Sequence, residues 1–155
     1  MTKKIPLTQG KFALVDDADF DWINQWKWNY HQGYATRTIY KPFKKTILMH
    51  RVIMNTPDGM ETDHIKIDET LNNQRSNLRI CTTAENRRNY GLRKDNTSGY
   101  KGVHKTKNGK WQARIQVGGK RVSLGVFISA EQAVIAYDSE LSNYHGEFAN
   151  FNLRK

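Results

Sequence analysis

Residues 59–91 read GMETDHIKIDETLNNQRSNLRICTTAENRRNYG, and they decide how the middle of the chain folds. Met60 to His64 has the make-up of a short strand. IKIDETLNNQRS is a polar loop, and Asn77 to Thr82 is a second strand. Thr82 and Glu85 have the spacing of a capping box, so a helix is expected next, with Gly91 as its stop. In this β-loop-β-α order, Asp63 and His64 abut at the end of the first strand. Asn77 opens the second strand, and Asn86 falls in the first turns of the helix.

Upstream, residues 1–58 read as a small β-rich unit with one helical piece. Lys11 to Val15 is a strand, and DDADFDWINQWKW is a short helix that Asp16 or Asp17 would cap. Tyr34 to Arg37 and Thr46 to Met54 are expected strands, joined through Pro42. The Trp cluster at 22, 26 and 28 belongs to a core. Lys41, Lys44 and Lys45 could touch a nucleic-acid backbone, although surface lysines ordinarily face water.

Downstream, residues 92–99 (LRKDNTSG) form a polar linker suited to lying along a backbone. In residues 100–155, the segments YKGVHK, KWQARIQV and KRVSLGVF read as three strands. Asn108-Gly109 and Gly118-Gly119 sit at the turns, which makes an antiparallel meander. A helix starts at Ser129, with Gln132 at capping-box spacing. Its apolar stripe is Ala133, Ala136, Tyr137, Leu141 and Tyr144, and Gly146 closes it.

The chain has 155 residues and a formal net charge of +10. Residues 1–74 are nearly balanced, whereas residues 75–124 hold thirteen Lys and Arg against two acids. Such a block, interleaved with Tyr100, His104 and Trp111, suits phosphates, because binding releases their counterions. The single Cys81 excludes a disulfide framework and a structural zinc site built on several Cys. The amino terminus has no apolar run after its two lysines, and no stretch is long enough to span a membrane. An intracellular, reduced protein with no membrane partner is expected.

Cutting a phosphodiester needs a base for the attacking water and a cation for the charge developing on the leaving oxygen. Asp63 and Asn86 offer two oxygen donors for one hard divalent ion, Mg²⁺ or Mn²⁺. His64 is the natural base. Neighbours in a regular strand point to opposite faces, so for both to serve one site the strand must break at His64.

The words TDHI, SNLRICT and AEN carry a resemblance to HNH endonucleases of the ββα-metal type, in the subtype with Asn at the third position. The resemblance implies Asp63 and Asn86 as metal ligands and His64 as general base. It also implies Asn77 as the residue whose side chain pins the loop and so orients His64. HRVIM, with His50 and Arg51 as accessory residues, resembles the stretch before this motif in phage-type homing endonucleases. The loop KIDETLNN departs from the family in lacking Gly and in being one residue longer.

SGYKGV, GKWQARI, LGVF, AEQAVIAYD and GEFANFN, in that order, resemble an AP2 domain across residues 98–152. This implies a sheet laid in the DNA major groove. Strand alternation nominates Lys101, His104, Lys107, Trp111, Arg114, Gln116, Arg121 and Ser123 for its face. Arg87, Arg88, Arg93 and Lys94 would contact backbone along the helix and linker. The expected fold class is α+β: an N-terminal β-rich unit, a ββα-metal motif over 59–91, a linker over 92–99, and an AP2-like sheet plus helix over 100–155. The expected protein is a phage-encoded, cytoplasmic, site-preferring DNA endonuclease that binds double-stranded DNA as a monomer and nicks it, with dimerisation as a route to a double-strand break. The rival from another class is a DNA-binding transcriptional regulator with an inactive HNH fold.

Overall fold

The computed structural model describes residues 1–153. The fold is α+β, with small antiparallel sheets and four helices, and the chain divides into two compact units, Met1–Asn86 and Arg87–Lys155. Residues 154 and 155, the end of the expected C-terminal domain, lie outside the described residues.

In the first unit, β1 (Thr2–Pro6) pairs antiparallel with β2 (Phe12–Asp16), and α1 (Asp17–Asn24) follows. β3 (Asn29–His31), β4 (Tyr34–Ile39) and β5 (Lys45–Leu48) form a three-stranded sheet. Then come α2 (Met49–Ile53), the hairpin of β6 (Glu61–His64) with β7 (Leu78–Cys81), and α3 (Thr83–Asn89), within which the division between the units falls. Thr46–Met54, expected as one strand, is a strand only to Leu48. Its second half is α2, where Met49, His50 and Ile53 are buried. Positions 49, 50 and 53 share one side of a helix, whereas a strand would turn His50 away from Met49 and Ile53, so the helix buries all three.

One core holds this unit together. Ile5, Val15, Ile23, Trp28, Met49 and Leu78 are all buried in it, so strand β7 shares packing with the first hairpin. The boundary drawn at 58/59 from sequence runs through this core. Leu14 of β2 also stitches the loop after β6. Its N–H donates to the Leu71 carbonyl at 2.9 Å, and its carbonyl accepts from Asn73 N at 2.8 Å. Asp16 bonds to that region as well, accepting from Arg75 N at 2.8 Å, and makes no side-chain cap on α1.

The second unit is a meander, β8 (Val103–Lys105), β9 (Trp111–Val117) and β10 (Lys120–Phe127), crossed by α4 (Ala130–His145). Val103, Ala113 and Ile115 face Ala133, Val134, Tyr137 and Leu141 in its core. Ser129 caps α4 by accepting from Gln132 N at 3.2 Å. β8 starts later than the sequence suggests because Gly102 turns the chain at φ +69°. A Cβ there would sit 2.0 Å from the Tyr137 ring. No helix among the described residues is long and apolar enough to cross a membrane.

Candidate active site and nucleic-acid face

Hairpin β6–β7 pairs Glu61 with Cys81, Asp63 with Arg79, and His64 with Leu78. The ladder therefore runs through His64, and the break expected there is absent. Alternation puts Glu61, Asp63, Arg79 and Cys81 on one face and Thr62, His64 and Leu78 on the other. The predicted constellation is thus split over two sides of the end of one strand.

On the first face, Arg79 donates to Asp63 Oδ2 through Nε at 3.0 Å and an η nitrogen at 2.7 Å. Both side chains are buried. An ion pair in so dry a place is held tightly because neither charge has water as an alternative partner. The helix that brings Asn86 is set by the Thr82–Glu85 box. Thr82 N donates to Glu85 Oε2 at 2.8 Å, and Glu85 N donates back to Thr82 Oγ at 3.3 Å. Asn86 Nδ2 donates to Glu61 Oε2, and Thr83 Oγ donates to Glu61 Oε1 at 2.8 Å. Asn86 therefore meets Glu61, two residues before Asp63 on the same face. A carboxylate beside the amide fixes its orientation, with nitrogen toward Glu61 and Oδ1 turned away from it.

This donor set fits a hard divalent cation: carboxylates on β6 and an amide oxygen from α3. Among the described residues no three His, Cys, Asp or Glu side chains gather closely enough to hold a metal on their own. An ion here would lean on Asp63 and Asn86 and take its remaining oxygens from substrate and water. Burial, with Asp63 and Glu61 beside it, pushes the Cys81 thiol up to about 11, so it stays protonated.

On the second face, His64 is buried and its Nε2 lies 3.3 Å from Asn73 Oδ1. Asn73 Nδ2 is bonded to the Leu71 carbonyl, so Oδ1 faces the ring, and an amide oxygen only accepts. That contact suits the tautomer with the proton on Nε2. Burial lowers the His64 pKa from 6.5, against opposing pulls from Asn73 and Asp63, which favours the neutral ring. His50, on α2, packs edge-on against His64 with ring centroids 4.8 Å apart, and Tyr34 touches both rings at 5.6 and 6.0 Å. Burial, His64 and Arg51 push the His50 pKa down to about 3.

Asn77 sits behind this group. Its Oδ1 accepts from Lys66 N at 3.0 Å, and its Nδ2 donates to the Asn72 carbonyl at 2.9 Å, tying both ends of the loop together. Arg51 donates to the Met60 carbonyl at 2.9 Å and so anchors the backbone entering β6. Sequence reasoning passed over Glu61, Asn73 and Arg79. Glu61 carries a signal, being two residues from Asp63 on one strand. Arg79 becomes visible once the hairpin register is known, and Asn73 is one of several amides in a polar loop.

In the second unit the outer sheet face carries Arg114, Gln116, Arg121 and Ser123, with Arg121 opposite Gln116 and Ser123 opposite Arg114. Gln112 shares this face and donates to Ser123 Oγ at 3.2 Å. His104 pairs with Gln112 across the ladder, and its Nε2 accepts from Arg114 Nε. Burial, Arg114 and Arg121 lower the His104 pKa. Trp111 falls on the other face, in step with Ala113 and Ile115, and packs against the core beside α4. Its nomination for the outer face is corrected by that parity. Lys101 is also diverted: its Nζ donates to the Arg88 and Tyr90 carbonyls at 2.7 Å each, capping the end of α3. Arg93 pairs with Asp95 at 3.0 Å in the open, while Arg87, Lys94 and Lys107 are exposed and Arg88 is half-buried.

Comparison with known proteins gives two kinds of likeness. An uncharacterised HNH endonuclease of Acanthamoeba polyphaga mimivirus is 28% identical over 147 residues, covering 91% of this chain and 74% of that protein. An AP2/ERF and B3 domain-containing transcription factor of Arabidopsis thaliana is 52% identical over 40 residues, 26% of this chain and 12% of that one. The dehydration-responsive element-binding protein 2C of the same plant is 41% identical over 56 residues, 35% and 16% of the two chains. This chain thus spans a small part of the plant proteins it matches and about three quarters of the viral one. No family model matches. No solved structure matches.

Proposed function

We propose that this chain is a Mg²⁺- or Mn²⁺-dependent DNA endonuclease that nicks double-stranded DNA, with the chemistry on β6, β7 and α3 and the DNA located by the β8–β10 sheet. The similarity to the viral HNH endonuclease supports the first part, and that to the plant AP2 proteins supports the second. The observation that carries the reading is the buried His64 ring, its Nε2 3.3 Å from Asn73 Oδ1, at the end of the strand that presents Asp63.

The scissile phosphate would lie across the end of β6, where Asp63 and His64 address it from two sides. His64 Nδ1 takes a proton from the water that attacks phosphorus, while the Asn73 bond keeps the ring aimed. Asn77 holds the loop that carries Asn73. Asp63 and Asn86 would hold the divalent ion, whose chemistry there would be to stabilise the charge developing on the leaving oxygen. Arg79 fixes the Asp63 carboxylate and tempers its charge when no metal is present.

The Asp63–Arg79 pair also favours a second reading, a DNA-binding regulator whose nuclease fold is idle, because the guanidinium competes for the ligand the metal needs. Supercoiled plasmid separates the two. Nicking with Mg²⁺ or Mn²⁺ that stops with EDTA, and that falls by about 10²–10⁴-fold in His64→Ala with DNA affinity kept, is the expected result. Intact plasmid across metals and pH, with DNA still bound, establishes the regulator.

A further inference from the structure

The first unit has near-balanced charge as a whole, but its charges are segregated. Residues 22–57 hold six Lys and Arg and no Asp or Glu, while its acids all fall on either side. Two of the six are committed internally. Arg37 stacks 3.9 Å from the Trp26 ring centroid, and Arg51 bonds to the Met60 carbonyl. Lys41, Lys44 and Lys45 crowd the β4–β5 connection, are exposed, and have no ion-pair partner among the described residues.

The same connection displays two aromatic rings to solvent, Tyr40 at 72% and Phe43 at 82% exposure. Lysines on a surface ordinarily face water, and a lone exposed ring is unremarkable. Two open rings within a run of three unpaired lysines are different. The lysines match a phosphate backbone, and the rings match sugars and bases, whose faces stack on aromatics whatever the sequence. The loop is also tied to the site by a strand. Tyr34 at the start of β4 touches His64, and Ile39 at its end lies about 17 Å away at a strand's rise per residue. That is a span of about five nucleotides along one strand.

We infer that the β4–β5 loop, Tyr40 to Lys45, is a second DNA-binding surface belonging to the first unit and separate from the β8–β10 sheet: its lysines take duplex phosphates and its two rings lie against sugar or base. The inference rests on the proposal that the chain acts on DNA, and cleavage itself plays no part in its test.

The test is anisotropy of a labelled duplex titrated with full-length protein over a series of salt concentrations, with circular dichroism checking each variant's fold. Replacing the lysines together (Lys41→Gln, Lys44→Gln, Lys45→Gln) is expected to weaken binding about tenfold and to flatten the salt dependence by about two to three units of slope. Tyr40→Ser with Phe43→Ser is expected to weaken binding about tenfold with the slope unchanged. A wild type that binds no duplex overturns this surface and the proposed DNA activity together. A wild type that binds, beside folded loop variants of unchanged affinity and slope, overturns the loop surface alone. So does a loop whose variants lose binding to phosphatidylserine vesicles and keep their hold on DNA. Should the triple variant unfold, Lys44→Gln alone is read in its place, with about one unit of slope lost as the expected result and an unchanged slope overturning the inference.

Discussion

Among the described residues the first unit buries nine polar or charged side chains, including His50, His64, Asn73, Asn77 and the Asp63–Arg79 pair, whereas the second buries Asn89 and His145. Both units have a compact apolar core, so the contrast is not one of size. The first gathers Asp63, His64, Asn73, Asn77 and Arg79 at one hairpin and its loop, where Arg79 meets Asp63 and Asn73 meets His64. The second keeps an apolar interior and displays Arg114, Gln116 and Arg121 on an open sheet. Burying polar groups opposes folding unless each finds a partner. The proposed cleavage is assigned to the hairpin where these buried polar groups meet, and the proposed DNA contact to the open face.

The contrast is tested hardest at Asp63. Asp63→Ala removes the carboxylate that takes two hydrogen bonds from the buried Arg79, and should cost about 3–5 kcal/mol in urea unfolding. Adding Arg79→Met should recover part of that loss. If Asp63→Ala alone is harmless, the inward network is ornament. Arg114→Ala, on the open face, should leave stability nearly unchanged and weaken specific DNA binding by about 1–3 kcal/mol in a competition titration. An equal loss on every sequence would reduce Arg114 to a phosphate contact. The smallest effect concerns acid. The folded His50 stays neutral down to about 3, while the unfolded chain takes up its proton below 6.5. Above 6.5 both states are neutral there. As the pH falls below it the unfolded state gains, and stability should drop by about 1.4 kcal/mol per pH unit from this group. Urea midpoints of wild type and His50→Gln at pH 6 and pH 5 would show it, with the shallower fall in the variant.

Much of this architecture is legible in the sequence, for local reasons. Capping boxes at Thr82 and Ser129 mark the starts of α3 and α4, and Asn108-Gly109 and Gly118-Gly119 mark two turns. What sequence left hidden depends on pairing. β1 has a single buried side chain, Ile5, and becomes a strand because β2 lies beside it. TILMHRVIM is apolar at nearly every other position and at nearly every third, so periodicity cannot separate β5 from α2. Trp111 was placed on the wrong face by one residue of parity, and that suffices to reverse a strand position. Arg79 reaches Asp63 across a hairpin, a relation visible only once the register is fixed.

The two hydrogen bonds between Leu14 and the loop at 71–73 have a consequence for anyone wishing to move this machinery elsewhere. The amide that steadies the His64 imidazole hangs on a segment whose scaffold is laid down by the first sixteen residues. A graft limited to the stretch bearing the recognisable letters would leave its support behind. The smallest transplantable piece begins at the first hairpin.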